Sequence, residues 1–172
     1  IFSAHRSDDI ETSLRLVQEF QLKGQLDLAT EGYLIAHEIA RMKVPVLIHP
    51  TMQRVSTPET YNSSLNNAAI LADHGIPLAI TSSFEGYVPK TRVPVYEAAI
   101  AMVNGLGYDR ALRSITLDAA RILNIDQKYG SLERGKVADV VLFDGDPFEY
   151  TTHVTHVILE GKLVYDRSVE LK

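Results

Sequence analysis

Four short apolar runs, IFSAH at 1–5, QLDLAT at 25–30, VPVLIHP at 44–50 and IPLAITSS at 76–83, alternate with helix-patterned segments along the first hundred residues. That alternation limits the chain to very few folds. Neighbouring parallel strands need a crossover of a dozen or more residues, and the intervening segments have that length. The expectation is an α/β fold of parallel βαβ units whose strands are buried on both faces.

The helical segments carry their own signals. Ile10, Leu14, Val17 and Phe20 recur at helical spacing behind Ser7 and Asp8, which can cap the helix, and Gly24 ends it. Residues 32–43 predict a second helix with Leu34, Ile35, Ile39 and Met42 as its apolar stripe. Residues 62–75 predict a third, with Asn62 as cap and Gly75 beyond its end. Residues 83–92 read as a loop, followed by helical VPVYEAAIAMVNG, YDRALRSI and LDAARILNI, the last capped by Thr116. From residue 130 the pattern changes to two strand-turn stretches punctuated by Gly135, Gly145 and Gly161, which predicts a separate small β unit.

Composition narrows the partners. A 172-residue chain that is 45% hydrophobic can bury a substantial core. It has no 18-residue apolar run and no basic, small-residue leader, so a membrane span and a signal peptide are not expected. With a formal net charge of -5 and scattered Lys and Arg, nucleic acid is not an expected partner, whereas a small molecule is. The absence of cysteine removes disulfide, thiolate and thiolate-metal chemistry and fits a cytoplasmic location. Ile1 begins directly in an apolar run without Met or a polar lead-in, from which a fragment is expected.

The stretch TLDAARILNIDQKYGSLERGKVADVVLFDGDP resembles the C-terminal segment of the metal-dependent amidohydrolase superfamily. Its closest likeness is to the branch with imidazolonepropionase-like and cyclic-imidate or dipeptide hydrolases. Thr116, Ala119, Ala120, Gly130, Ser131, Leu132, Gly135, Lys136, Ala138, Asp139 and Pro147 carry the pattern, and VTHVILEGKLVYD matches the final strand. The resemblance implies that residues 1–124 are strands five to eight of a (β/α)8 TIM-like barrel and that residues 125–172 are strands of a composite β-sandwich. A complete barrel takes about 250 residues, so an N-terminal half-barrel would be missing, and this chain by itself is expected to be inactive.

The resemblance also implies a site. Imidazoles and carboxylates from several strand ends would converge on one or two divalent metals, zinc among the candidates, leaving an open position for water. His5 stands where the strand-five ligand is expected. Leu28, within QLDLATEGY, stands where a His is expected, and Ser83 where the strand-eight Asp is expected. Two expected ligand or catalytic positions are therefore substituted, and no catalytic residue is assigned.

His49 is either a substitute metal ligand or an ordinary strand-end histidine. Lys90 and Arg92, in the loop after the fourth strand, would bind an acidic substrate group or else belong to a solvated loop; Tyr87 in the same loop and Tyr61 after the third strand would line a substrate pocket or else be ordinary exposed loop tyrosines. Asp8 and Asp9 read as helix-start carboxylates, and His37 and His74 as structural. His153 and His156 are three apart in a strand, so they would face opposite sides and not share an ion. Gly105-Leu106-Gly107 reads as a helix end, and neither a GxSxG nor a Walker sequence is present.

The resemblance implies a hydrolase of carbon-nitrogen bonds other than peptide bonds, acting on cyclic amides, imidates or dipeptide-like substrates. The alternative is a non-catalytic relative serving as a ligand-binding or assembly scaffold. A four-stranded half-barrel would leave sheet edges open and would pair with the missing half or with a copy of itself.

Overall fold

A computed structural model describes residues 1–48, 55, 57–82, 84–85, 88–89 and 93–170. The four apolar runs form strands β1 (Phe2–Ala4), β2 (Leu26–Leu28), β3 (Val46–Ile48) and β4 (Leu78–Ile80), all parallel and paired in chain order. Each row across the sheet is in register, as in Ala4, Leu28, Ile48 and Ile80.

Between the strands run α1 (Ser7–Glu19), α2 (Ala36–Met42) and α3 (Asn67–Asp73). Right-handed crossovers between sequential parallel strands place such helices on one face of the sheet. Burial varies along the sheet: Leu26, Val46 and Leu78 are buried in one row, while in the adjacent row Ser3 is exposed, Asp27 and Leu47 are half-buried and Ala79 is buried. The expectation of strands buried on both faces holds at β4, where Leu78, Ala79 and Ile80 are all buried, and is corrected towards β1, where the second face carries polar groups and the Ser3 hydroxyl donates to the Asp27 carboxylate at 3.0 Å.

The helix boundaries also differ from the periodicity. Phe20 ends α1 and is 62% exposed, and Leu34 is 54% exposed because residues 32–35 form a 3-10 turn, which rotates Leu34 out of the α2 stripe. Ile10, Leu14, Val17 and Ile39 do enter the core. Helix α3 starts five residues later than expected, so Asn62 is not its cap. Arg6 is the N-cap residue of α1, and Asp8 turns back to pair with the Arg6 guanidinium at 3.0 Å rather than capping the helix.

A two-residue ribbon, β5 (Phe84–Glu85) with β6 (Val88–Pro89), occupies part of the segment read as a loop. Then follow α4 (Pro94–Ala101), a kinked turn at Met102–Leu106, α5 (Tyr108–Ser114) and α6 (Leu117–Ile122). Thr116 does precede α6, but its hydroxyl donates to the Leu112 carbonyl instead of accepting from the helix.

The tail forms an antiparallel sheet of β7 (Val140–Phe143), β8 (Val154–Leu159) and β9 (Lys162–Asp166), closed by α7 (Arg167–Glu170). Phe148 packs against the main core and meets Tyr108 of α5 edge-on, ring centroids 5.2 Å apart, which fastens the tail to the α/β body. Val141, Leu142, Leu163 and Val164 of the tail remain exposed. None of the described helices is long and apolar enough to cross a membrane.

Candidate functional site

Because the strands are parallel, their C-terminal ends share one rim, to which His5, the segment 28–31 and Thr81 all belong. The strand ladder continues past β2. The Ala29 N–H donates to the Ala4 carbonyl at 2.9 Å, and the Glu31 N–H to the His5 carbonyl at 2.8 Å. These bonds bring Thr30 beside His5, where the Thr30 hydroxyl and His5 Nδ1 lie 2.6 Å apart. One imidazole nitrogen is thereby engaged, and the ring is oriented by a neutral group.

Glu31 follows at once and is buried. Its Oε2 accepts from the Ser7 N–H at 2.7 Å and the Ser7 hydroxyl at 2.9 Å, and its Oε1 accepts from the Asn62 amide at 2.8 Å. Burial pushes this carboxyl up. The Ser7 N–H, the Asn62 amide and the Ser7 hydroxyl, with Arg6 nearby, outweigh it and hold Glu31 below the usual carboxylate range. The carboxylate therefore occupies an otherwise unmet N–H of the first turn of α1 and ties that helix to the loop before α3. Tyr33 reaches the same loop, its hydroxyl donating to the Asn62 carbonyl at 3.0 Å.

The turn between β2 and Thr30 is strained. Leu28 has φ 75° and Ala29 φ 45°, a left-handed pair that non-glycine residues occupy at an energetic cost. The Asn67 amide donates to the Ala29 carbonyl at 2.9 Å and helps to hold the turn. Asn67 Oδ1 is buried without a partner among the described residues.

The segment Thr30-Glu31-Gly32-Tyr33 has more than one task. Besides starting the next helical turn, it orients His5 and couples β2, α1 and the 57–66 loop through Glu31. Local sequence could not reveal this, because Ser7 and Asn62 lie 24 and 31 residues from Glu31.

Of the expected site residues, His5 and Leu28 are at the rim, and Leu28 presents no donor atom. His49, Ser83, Tyr87, Lys90 and Arg92 lie outside the described residues. Tyr61 is 66% exposed. His74 binds the Ile70 carbonyl at 2.9 Å as a structural group, and His37 is exposed on α2. His153 approaches Asp144 at 3.6 Å and His156 approaches Asp166 at 3.9 Å, so they engage different carboxylates. No three His, Asp or Glu side chains converge as a metal site among the described residues. The rim groups described do not fit a metal by themselves: His5 is a single imidazole, Glu31 is saturated by helix and amide donors, and Leu28 cannot ligate.

Comparison with known proteins agrees with the fold. The Amidohydrolase family matches residues 54–164, more than half of the chain. An imidazolonepropionase of Thermoplasma volcanium is 29% identical over 117 residues, 64% of this chain and 29% of its own length. One from Alkaliphilus oremlandii is 24% identical over 86% of this chain and 37% of its own. The crystal structure of an amidohydrolase from Thermotoga maritima MSB8 superimposes with a TM-score of 0.89 at 31% identity, covering 96% of this chain and 43% of that one. The chain thus spans well under half the length of the relatives it matches. With its α/β architecture and its mixture of parallel and antiparallel sheets, the chain belongs to the amidohydrolase family, a TIM-barrel superfamily, in its imidazolonepropionase-like branch.

Proposed function

We propose that the chain is the strand-five-to-eight part of an amidohydrolase barrel, residues 1–124, with residues 125–172 contributing strands to a composite β-sandwich. The observation that carries this reading is the parallel order β1-β2-β3-β4, with the core on one face and the row Ser3, Asp27, Leu47 and Ala79 turned to the other. Exposed Leu142 and Leu163, which share one face of the tail sheet, support the sandwich, since an exposed apolar sheet face seeks a cover. The complete protein would hydrolyse carbon-nitrogen bonds other than peptide bonds, in cyclic amides, imidates or dipeptide-like substrates. The likeness to imidazolonepropionases makes a five-membered cyclic amide the first substrate to test.

In this reading the chain's own residues position rather than react. Thr30 orients the His5 imidazole, and Glu31 fixes the strand-end backbone against α1. Lys90, Arg92 and Tyr87 would supply substrate contacts, and His5 with His49 any imidazole ligation of a divalent ion. Without the remaining strands this chain is inactive.

A second reading, a non-catalytic scaffold, is favoured by one observation: Leu28 places a hydrocarbon side chain at a rim position. Elemental analysis of the complete protein, purified without chelator or added metal, separates the two when paired with a cyclic-amide hydrolysis assay. Tightly held divalent metal with turnover supports the hydrolase. Metal-free protein without turnover, even after divalent ions are supplied, favours the scaffold.

A further inference from the structure

The opposite end of the sheet holds a groove of about 810 Å³. It is bounded by the segments that enter three strands, Gly24-Gln25 before β2, Val44-Pro45 before β3 and Ile76-Pro77 before β4, and is flanked by α5 and α6. Parallel order puts all three segments at the N-terminal end. The groove is therefore separated from the His5 rim by the length of the strands, roughly 10 Å for three residues.

Its charge departs from that of the chain. Acidic residues outnumber Lys and Arg 22 to 17 overall, yet the groove is lined by Lys23, Lys43, Arg110, Arg113 and Arg121 against Asp118 alone. Arg113 and Arg121 both bind Asp118 Oδ1, at 2.9 and 3.1 Å, so one carboxylate holds two guanidiniums side by side. Each retains donors beyond the one used there. Arg110 is fixed by the Leu106 carbonyl at 2.8 Å and by Asp73 at 2.7 Å. Lys23 and Lys43 make no ion pair among the described residues. The result is a concave surface with an excess of positive charge, part of it held in place by other side chains and part uncompensated. Val17, Leu106 and Ile122 supply an apolar floor.

We infer that this groove binds a small organic phosphate, its phosphate met by Lys23, Lys43 and the Arg113-Arg121 pair and its apolar body seated on the floor. Volume and composition suit a small molecule. A doubly charged phosphate is favoured over a monocarboxylate because several cations line one concavity and forked guanidiniums match phosphate oxygens. The inference is independent of the rim's chemistry and of whether the protein is a hydrolase.

Calorimetric titration of the full protein with phenyl phosphate tests it, with benzoate as the monocarboxylate counterpart. Saturable one-site binding is expected, weakening with added salt. The double variant Lys23→Glu/Lys43→Glu alters two exposed residues, and a thermal melt checks its fold. It should bind phenyl phosphate at least about tenfold more weakly, while Lys162→Glu, on β9 away from the groove, should bind as before. Absence of saturable binding at millimolar phenyl phosphate would overturn the site. So would equal loss in the Lys162 variant, or unchanged affinity in a folded double variant. Benzoate binding as tightly as phenyl phosphate would overturn the phosphate assignment.

Discussion

Glu31 accepts both the N–H and the hydroxyl hydrogen of Ser7, at 2.7 and 2.9 Å, so a carboxylate at the end of one strand closes the start of the helix that follows another. A buried acceptor with three donors aimed at it is costly to disturb, because the donors lose their partner without regaining water. Glu31→Ala should therefore destabilise the fold by about 2–4 kcal/mol and Ser7→Ala by about 1 kcal/mol, read from urea unfolding midpoints. A loss below about 0.5 kcal/mol for Glu31→Ala would show that this clamp does not stabilise the rim.

The same carboxylate makes stability depend on pH with a definite sign. Its folded pKa lies below the ordinary 4.5, so its contribution is fully present above the unfolded value and is lost as pH falls through the folded value. Thermal melts should show Glu31→Gln closing part of its stability gap to the parent as pH is lowered from neutral through that range. A gap that stays constant would mean that Glu31 does not ionise differently on folding.

Lys43 ends α2 with φ 54°, in the left-handed region, and is exposed. Glycine takes this conformation without the side-chain penalty. Lys43→Gly should raise stability by about 0.5–1 kcal/mol, after allowing for the greater freedom of glycine in the unfolded chain.

Gly130 is the converse case. At φ 92°, an added Cβ would stand 2.7 Å from Ala120 Cβ and 3.0 Å from Leu117 Cα, neither of them the end of a flexible chain. Gly130→Ala should cost about 2 kcal/mol or more, loosening α6 from the turn that leads to the tail. Hydrogen exchange should show the amides of residues 117–125 losing protection first.

The Tyr108-Phe148 contact makes a claim about the tail. Removing the Phe148 ring should cost about 1–2 kcal/mol for a half-buried aromatic and release the 144–152 turn. Limited proteolysis of Phe148→Ala should cleave that turn faster than the parent while leaving the parallel sheet intact. Unaltered cleavage would mean that another contact fastens the tail.

The division between what local sequence carries and what it does not follows from range. Apolar runs of strand length, helical repeats such as Ile10, Leu14 and Val17, and turn glycines determined an α/β chain of sequential parallel strands with a separate small β tail, since each signal lies within a few residues of what it specifies; the antiparallel pairing of that tail came from the fold. They likewise placed His5 at a strand end, while the resemblance to amidohydrolases singled out Leu28. Only the tertiary structure decided that Phe20 and Leu34 face solvent, that Asn62 serves Glu31 rather than capping α3, and that the Thr30 hydroxyl meets His5. It alone gathered Lys23, Lys43, Arg110, Arg113 and Arg121 from four separate segments around one groove. Those outcomes depend on which faces pack and on partners dozens of residues apart, and no local pattern encodes a distance closed by the fold.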